Sequence, residues 1–267
     1  MTTFNLLLIA LIQGITEFLP VSSSAHLILL PSLTSLDDQG QVIDVAAHVG
    51  TLSAVVLFFW SDVRLALAGT LRLLRGKADT PGARLALCLI ISTVPVVIVG
   101  LILSVTGLSE AMRGVAVIGW AMIIFGVLLY WADQKGPAEK TAGQWSLRDA
   151  VKMGMWQAVA LIPGTSRSGI TITAGRMLGY KRTDAARLSM LMSIPTIIAS
   201  GALLSLDVIG SGDTGTLRDI GIVVVMSFAA ALLALTLMMR LLKSVSFTPY
   251  VIYRIALGAV LLWIAYA

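Results

Sequence analysis

Two short stretches of an otherwise apolar chain carry groups able to do phosphate chemistry. Gln13 and Glu17 stand four residues apart, which puts an amide and a carboxylate on one helical face. A carboxylate inside apolar sequence is costly and marks a functional site by default. With Gln13 it could bind a divalent cation, or it could serve as a general base. Pro20-Val21-Ser22-Ser23-Ser24 follows, then His26, one helical turn from either Ser22 or Ser23. That spacing suits activation of a hydroxyl nucleophile. The second stretch reads Pro163-Gly164-Thr165-Ser166-Arg167-Ser168. Arg167 offers a charged planar fork that matches phosphate oxygens, and an ion pair with Glu17 is compatible with that role. Ser166, Ser168 and Thr171 add hydroxyl donors, although Thr171 could equally bond its own helix backbone.

Both stretches share the pattern Pro-x-Ser/Thr-Ser, 143 residues apart when the prolines are superimposed. Proline ends one helix, and a Ser or Thr caps the next. The new helix start exposes unpaired N–H groups and a partial positive charge, which suits an anion. The bland reading, two kinks with capping serines, leaves the coincidence of Glu17 and Arg167 unexplained. Ser22, Ser24, Thr165, Ser166, Ser168 and Thr171 are therefore candidate phosphate-binding residues. Asp44 and His48, another pair four residues apart, are expected at a solvated mouth. Arg254 is expected to snorkel or to pair with a carboxylate.

The elements that must position these groups follow from composition. Of 267 residues, 57% are hydrophobic and 12% charged, about half the usual charged share of ~25%. A water-soluble globule of this size would need more polar surface, so the chain reads as an integral membrane protein. One cysteine excludes a disulfide framework or thiolate metal site. The net charge of +5 is dispersed through apolar sequence, which argues against nucleic acid. Six stretches are long enough to cross a bilayer: 45–61, 85–109, 114–132, 188–206, 220–239 and 244–267. Residues 4–36 and 150–178 each read as two half-helices around a polar break, the pattern of a re-entrant hairpin, and no cleavable signal peptide is evident. With both termini outside, the inner loops hold 15 of the 19 Lys and Arg residues, as the positive-inside rule requires. The expectation is an all-α polytopic membrane protein of two inverted-topology repeats, six transmembrane helices and two re-entrant helical hairpins. Residues 1–267 then form a single membrane domain. Repeat one spans about 1–132 and repeat two about 148–267, joined by a cytoplasmic linker at about 133–147.

Several motifs fail. Ile170 stands where a Walker A loop needs lysine, and Ser168 stands where a nucleophile elbow needs glycine. The integral lipid-phosphatase signature that pairs Pro-Ser-Gly-His with Ser-Arg-x5-His is absent, since Thr173 occupies the histidine position.

Gln13-Gly14-Ile15-Thr16-Glu17-Phe18-Leu19-Pro20-Val21-Ser22-Ser23-Ser24-Ala25-His26 resembles the first signature of the bacitracin-resistance type undecaprenyl-diphosphate phosphatases. Pro163 to Gly169 resembles their second, and Asp44 to Thr51 a weaker third block. The resemblance covers essentially the whole chain. It implies an enzyme that removes one phosphate from undecaprenyl diphosphate, recycling the lipid carrier of cell-wall synthesis, in the bacterial inner membrane with its active site facing the periplasm. It also implies a divalent cation, magnesium or calcium, with Glu17 and Gln13 as metal-side residues. Ser22, Ser23 and His26 match the family's serine and histidine positions, Ser166 and Arg167 its arginine loop. Two departures stand out. Gln13 replaces a frequent Glu, and Ser24-Ala25 replaces a frequent Thr-Gly, which restricts positive φ after Ser23.

The expected mechanism places Ser23 as nucleophile, His26 as proton carrier, Arg167 as charge stabiliser and Glu17 as metal ligand or water-positioning group. Ser22 remains an alternative nucleophile, and direct attack by activated water an alternative route. The competing function is a polyprenyl-phosphate flippase or organic-anion transporter, which needs the anion site but no paired Ser and His. The partners expected are a polyprenyl diphosphate and the bilayer, without nucleic acid; a homo-oligomer is compatible with the sequence.

Overall fold

The computed structural model describes residues 2–27, 40–108, 112–211 and 217–267, with side chains described in these ranges except at 203–211. Helix α1 spans Thr3–Thr16, α2 Gln41–Phe58, α3 Trp60–Leu73, α4 Pro81–Thr106 and α5 Val115–Lys135. The second half holds α6 Leu147–Val159, α7 Arg167–Met177, α8 Arg182–Ser211, α9 Leu217–Leu241 and α10 Thr248–Tyr266. A short helical turn covers 23–27, and a 3-10 turn covers Ala142–Gln144.

Six of these helices are long and apolar enough to cross a membrane: α2, α4, α5, α8 (Arg182–Ala202), α9 and α10. They correspond to the six stretches expected from hydropathy. Large apolar residues such as Val105, Trp120, Trp131, Ile252 and Trp263 face outward, as a lipid-exposed surface requires. Starts follow capping chemistry more closely than hydropathy does. Thr80 caps α4 by accepting from the Ala83 N–H, and Pro81 fills its first position. The second half of the expected first hairpin, 28–36, lies outside the described residues. Helix α3 is a correction, because its charges Asp62, Arg64 and Arg72 read as loop. It is a short amphipathic helix broken from α2 at Phe59, and Asp62 pairs with Arg187 of α8.

Packing crosses between the two halves of the chain. Helix α1 lies against α9, and α6 lies against α4, while α2 meets both α9 and α8, and α5 meets α10. Small residues allow these approaches. A Cβ at Gly14 would sit 2.7 Å from the Ser227 carbonyl oxygen, and one at Gly154 would sit 2.6 Å from the Ser92 carbonyl oxygen. The main core gathers Phe18, Val55, Phe59, Leu129, Met190, Leu235 and Phe247 from both halves.

The connection between α5 and α6 is clamped. Asp133 is buried and pairs with Arg176 and Arg182, and it accepts from the Phe247 N–H. Tyr180 and Lys140 both donate to the Asp149 carboxylate. Burial alone would raise that carboxyl, but these bonds outweigh it and hold Asp149 below its ordinary value.

Candidate functional site

The site forms where two interrupted helices meet. Helix α1 runs to Thr16, the chain turns over 17–22, and helical geometry resumes at Ser23. Helix α6 ends at Val159, the chain turns over 160–166, and α7 starts at Arg167. The two positive-φ residues other than glycine, among those described, are Ser22 at 72° and Ser166 at 69°. Each is the residue before a new helix start. In each break the hydroxyl two residues further on lies close, with Ser22 Oγ 3.2 Å from Ser24 Oγ and Ser166 Oγ 3.1 Å from Ser168 Oγ. The structural correspondence is therefore Ser22 with Ser166 and Gln13 with Gln157. That is an offset of 144, not the 143 the prolines suggest. The expected difficulty after Ser23 does not arise, because the left-handed residue is Ser22 and Ser24-Ala25 are helical. A non-glycine residue in this region costs roughly 1–3 kcal/mol and persists where its surroundings over-determine it.

A cavity of about 140 Å³ lies between the breaks, lined by Glu17, Ser22, Ser23, Ser24, Ala160, Ser166 and Arg167. It is smaller than a drug-sized pocket of about 300–1,000 Å³ and polar, as a phosphate head group needs. Glu17 is its hub. Its Oε1 accepts from Arg167 Nη2 at 2.7 Å, and its Oε2 accepts from Ser23 Oγ at 2.9 Å and Gln13 Nε2 at 2.8 Å. Arg167 Nη1 is buried without a hydrogen-bond partner, a charged donor in need of an acceptor.

Of the other expected residues, Ser166 lines the cavity and His26, Thr165, Ser168 and Thr171 lie outside its lining. His26 does not face a serine hydroxyl. Its Nδ1 donates to the Ser22 carbonyl at 2.7 Å, which leaves Nε2 to accept from Tyr253 Oη at 2.6 Å, and the two rings stack. Thr171 Oγ1 donates to its own helix at the Arg167 carbonyl and lies 2.6 Å from Ser189 Oγ. Ser168 Oγ donates across to the Leu19 carbonyl at 2.8 Å, bracing one break against the other. Thr165 is buried with Oγ1 unpartnered, outside the lining. Ser166 accepts from the Gly169 N–H and so caps α7.

Two residues given peripheral roles by the sequence come inward. His48 is half-buried and reaches inward, for its Nδ1 donates to the Asp44 carbonyl at 2.8 Å and its Nε2 faces Gln13 Nε2 at 3.2 Å. Arg254 does not snorkel and, among the described residues, meets no carboxylate; it is fully buried among backbone carbonyls of both breaks. Its only legible signal was a charge in a spanning segment.

The implied divalent cation can be tested against these donors. No three His, Cys, Asp or Glu side chains cluster as a cage among the described residues. Gln13 spends both amide hydrogens on Glu17 and His48, and its buried Oε1 has no partner. One carboxylate and one orphaned carbonyl oxygen fit a hard cation whose other ligands are phosphate oxygens and waters. They do not fit an all-protein site. A larger cleft of about 910 Å³, lined by Asp62, Arg84, Trp145 and Arg187 among others, shares no residue with the cavity at the breaks.

A family model described as "Bacitracin resistance protein BacA" matches residues 6–260. The chain is 67% identical over 267 residues to a protein of Dinoroseobacter shibae, covering 100% of both chains. It is also 67% identical to one of Jannaschia sp. over 267 residues, again with full coverage of both. Identity is 44% over 268 residues to one of Saccharophagus degradans, across 99% of this chain and 100% of the relative. All three relatives carry the name undecaprenyl-diphosphatase.

Proposed function

The chain belongs to the bacitracin resistance protein BacA family, and on that premise we propose that it is an undecaprenyl-diphosphatase. It is a multi-pass membrane enzyme that hydrolyses undecaprenyl diphosphate to undecaprenyl phosphate and inorganic phosphate. The observation that carries the chemistry is the Ser23 hydroxyl donating to Glu17 at 2.9 Å in a cavity shared with Arg167. Ser23 Oγ attacks the terminal phosphorus while its proton passes to Glu17. The anhydride P–O bond breaks and undecaprenyl phosphate leaves as the anion. Water then attacks the phosphoserine phosphorus and the Ser23 Oγ–P bond breaks; the proton held by Glu17 returns to Ser23 Oγ, and phosphate leaves with both protons of the water, so Glu17 ends ionised. Arg167 Nη1 and the N–H groups at the starts of α7 and of the 23–27 turn face the developing charge. Ser22, Ser24 and Ser166 supply further hydroxyls to the phosphates. His26 holds the Ser22 carbonyl and hence the left-handed turn, a positioning role rather than the proton-carrying role expected from spacing. A magnesium or calcium ion, when bound, offsets charge on the diphosphate, with Glu17 and Gln13 Oε1 as its protein ligands.

The same reading includes the architecture. Residues 1–132 and 148–267 are two inverted repeats, with 4–36 and 150–178 as re-entrant hairpins and 133–147 as the cytoplasmic linker. It is supported by the reciprocal packing of α1 on α9 and α6 on α4, by the paired left-handed serines, and by the Lys and Arg asymmetry. The cavity then opens to the periplasm, both termini lie there, and the prenyl tail stays among the helices in lipid. Phosphate release from undecaprenyl diphosphate by the purified protein in detergent, with and without chelator, tests the function. Detergent removes the barrier a flippase would act across, so no release there would refute the hydrolase.

A further inference from the structure

Arg254 is an unusual occupant of a spanning helix. It is 0% exposed, yet no carboxylate pairs with it among the described residues. Its Nη2 donates to the carbonyls of Gly164 at 3.1 Å and Thr165 at 2.8 Å, in the second break. Its Nη1 reaches the carbonyl of Pro20 at 3.5 Å, in the first. A buried charge with only dipoles for partners is expensive in a bilayer and is retained for function.

The two breaks face each other. Residues of both breaks line one cavity, and α7, the longer of the two helices described after them, starts there with its positive end. Arg254 gathers carbonyls behind them. In a peptide unit C=O and N–H are antiparallel, so drawing the Thr165 carbonyl onto Arg254 aims the Ser166 N–H the other way. Ser166 lines the cavity. The neighbouring sequence makes room for the fork, since a Cβ at Gly169 would lie 2.6 Å from Arg254 Nη1. The adjacent Tyr253 holds His26, so one turn of α10 grips both breaks.

We propose that Arg254 is a positioning residue of the phosphatase site. Its guanidinium fixes the two helix starts in mutual register and supplies an unneutralised charge behind the bound phosphates. This rests on the hydrolase reading above. It is tested in purified detergent-solubilised protein by Arg254→Lys, Arg254→Met and Gly169→Ala, with two readouts. The first is phosphate release from undecaprenyl diphosphate. Arg254→Lys keeps the charge but loses the fork, so kcat per folded molecule should fall by ~10–10²-fold with KM little changed, as displacements of about 1 Å do. Arg254→Met should lower kcat further and raise KM as well. Gly169→Ala crowds the fork and should reproduce Arg254→Lys, and the double variant should cost no more than the worse single one.

The second readout is thermal stabilisation by inorganic pyrophosphate, which needs no turnover. The concentration for half the shift should rise in Arg254→Met by ~10-fold, the weight of one charge-assisted contact, and stay near the wild-type value in Arg254→Lys and Gly169→Ala. Wild-type protein that released no phosphate would overturn the hydrolase reading, while the pyrophosphate titration would still judge Arg254. Wild-type kcat in Arg254→Lys, or additive losses in the double variant, would overturn the positioning role. So would a lower melting temperature with kcat and the pyrophosphate response unchanged.

Discussion

Replacing Arg167 by lysine separates charge from geometry at the cavity. Arg167 does two things with two ends of one rigid group. Nη2 holds Glu17 at 2.7 Å, and Nη1 waits, buried and unpartnered, for an acceptor. A lysine ammonium can hold Glu17 or meet a phosphate oxygen, but it cannot span both in a fixed plane. The loss is one charged donor to the transition state, which in comparable anion holes lowers kcat by ~10²–10³-fold, about 3–4 kcal/mol. The ground state suffers less. Arg167 makes one side-chain hydrogen bond, to Glu17, and the ammonium keeps a weaker form of that pair, so the melting temperature should move by the equivalent of no more than ~0.5–1.5 kcal/mol. Steady-state phosphate release from undecaprenyl diphosphate, paired with thermal unfolding in the same detergent, measures both. Turnover indistinguishable from wild type would remove Arg167 from the charge-stabilising role. A collapse of folding with it would mean that the pair with Glu17 is structural.

Glu17→Gln should raise the magnesium concentration needed for half-maximal rate as well as lower the rate, and an unchanged titration would confine Glu17 to the base role. Ser23→Ala should lose more than ~10²-fold, the span of a lost nucleophile and its proton transfer, while His26→Ala should lose roughly fivefold, the equivalent of one neutral hydrogen bond of about 1 kcal/mol. A loss of 10² or more at His26 would return it to proton transfer. With Cys88→Ala as background, a cysteine at Ser24 should react with an impermeant thiol reagent in intact cells, and cysteines at Lys77 and Lys140 only after the membrane is opened. The reverse pattern would invert the topology.

The spanning helices were legible because lipid exposure imposes a long unbroken apolar run, and all six stretches named from hydropathy correspond to helices. Helix α3 was not, because an amphipathic helix carrying Asp62, Arg64 and Arg72 has the composition of a loop. At the site, Glu17, the three serines and Arg167 announced themselves as polar groups where none should be, and the structure gathers them around one cavity. What sequence could not show was who bonds whom. His26 sits one turn from Ser22 and Ser23, but Tyr253, 227 residues away, takes its Nε2. Of the two readings open for Thr171, phosphate donor or helix-bonded hydroxyl, the contacts favour the second. Superposing the two prolines misaligns the two breaks by one residue, because their geometry is set by the left-handed residue at Ser22 and Ser166.

The grip of α10 on both breaks has a consequence for biosynthesis. Arg254 and Tyr253 lie C-terminal to every residue lining the cavity and emerge from the ribosome after them. Until then the carbonyls of Pro20, Gly164 and Thr165 lack their donor and His26 lacks its hydroxyl partner. Every residue that lines the cavity is already synthesised, but the site they form is unfinished. Assembly therefore resembles a drawstring pulled from α10, and a nascent chain stalled before α10 should be inserted without being active.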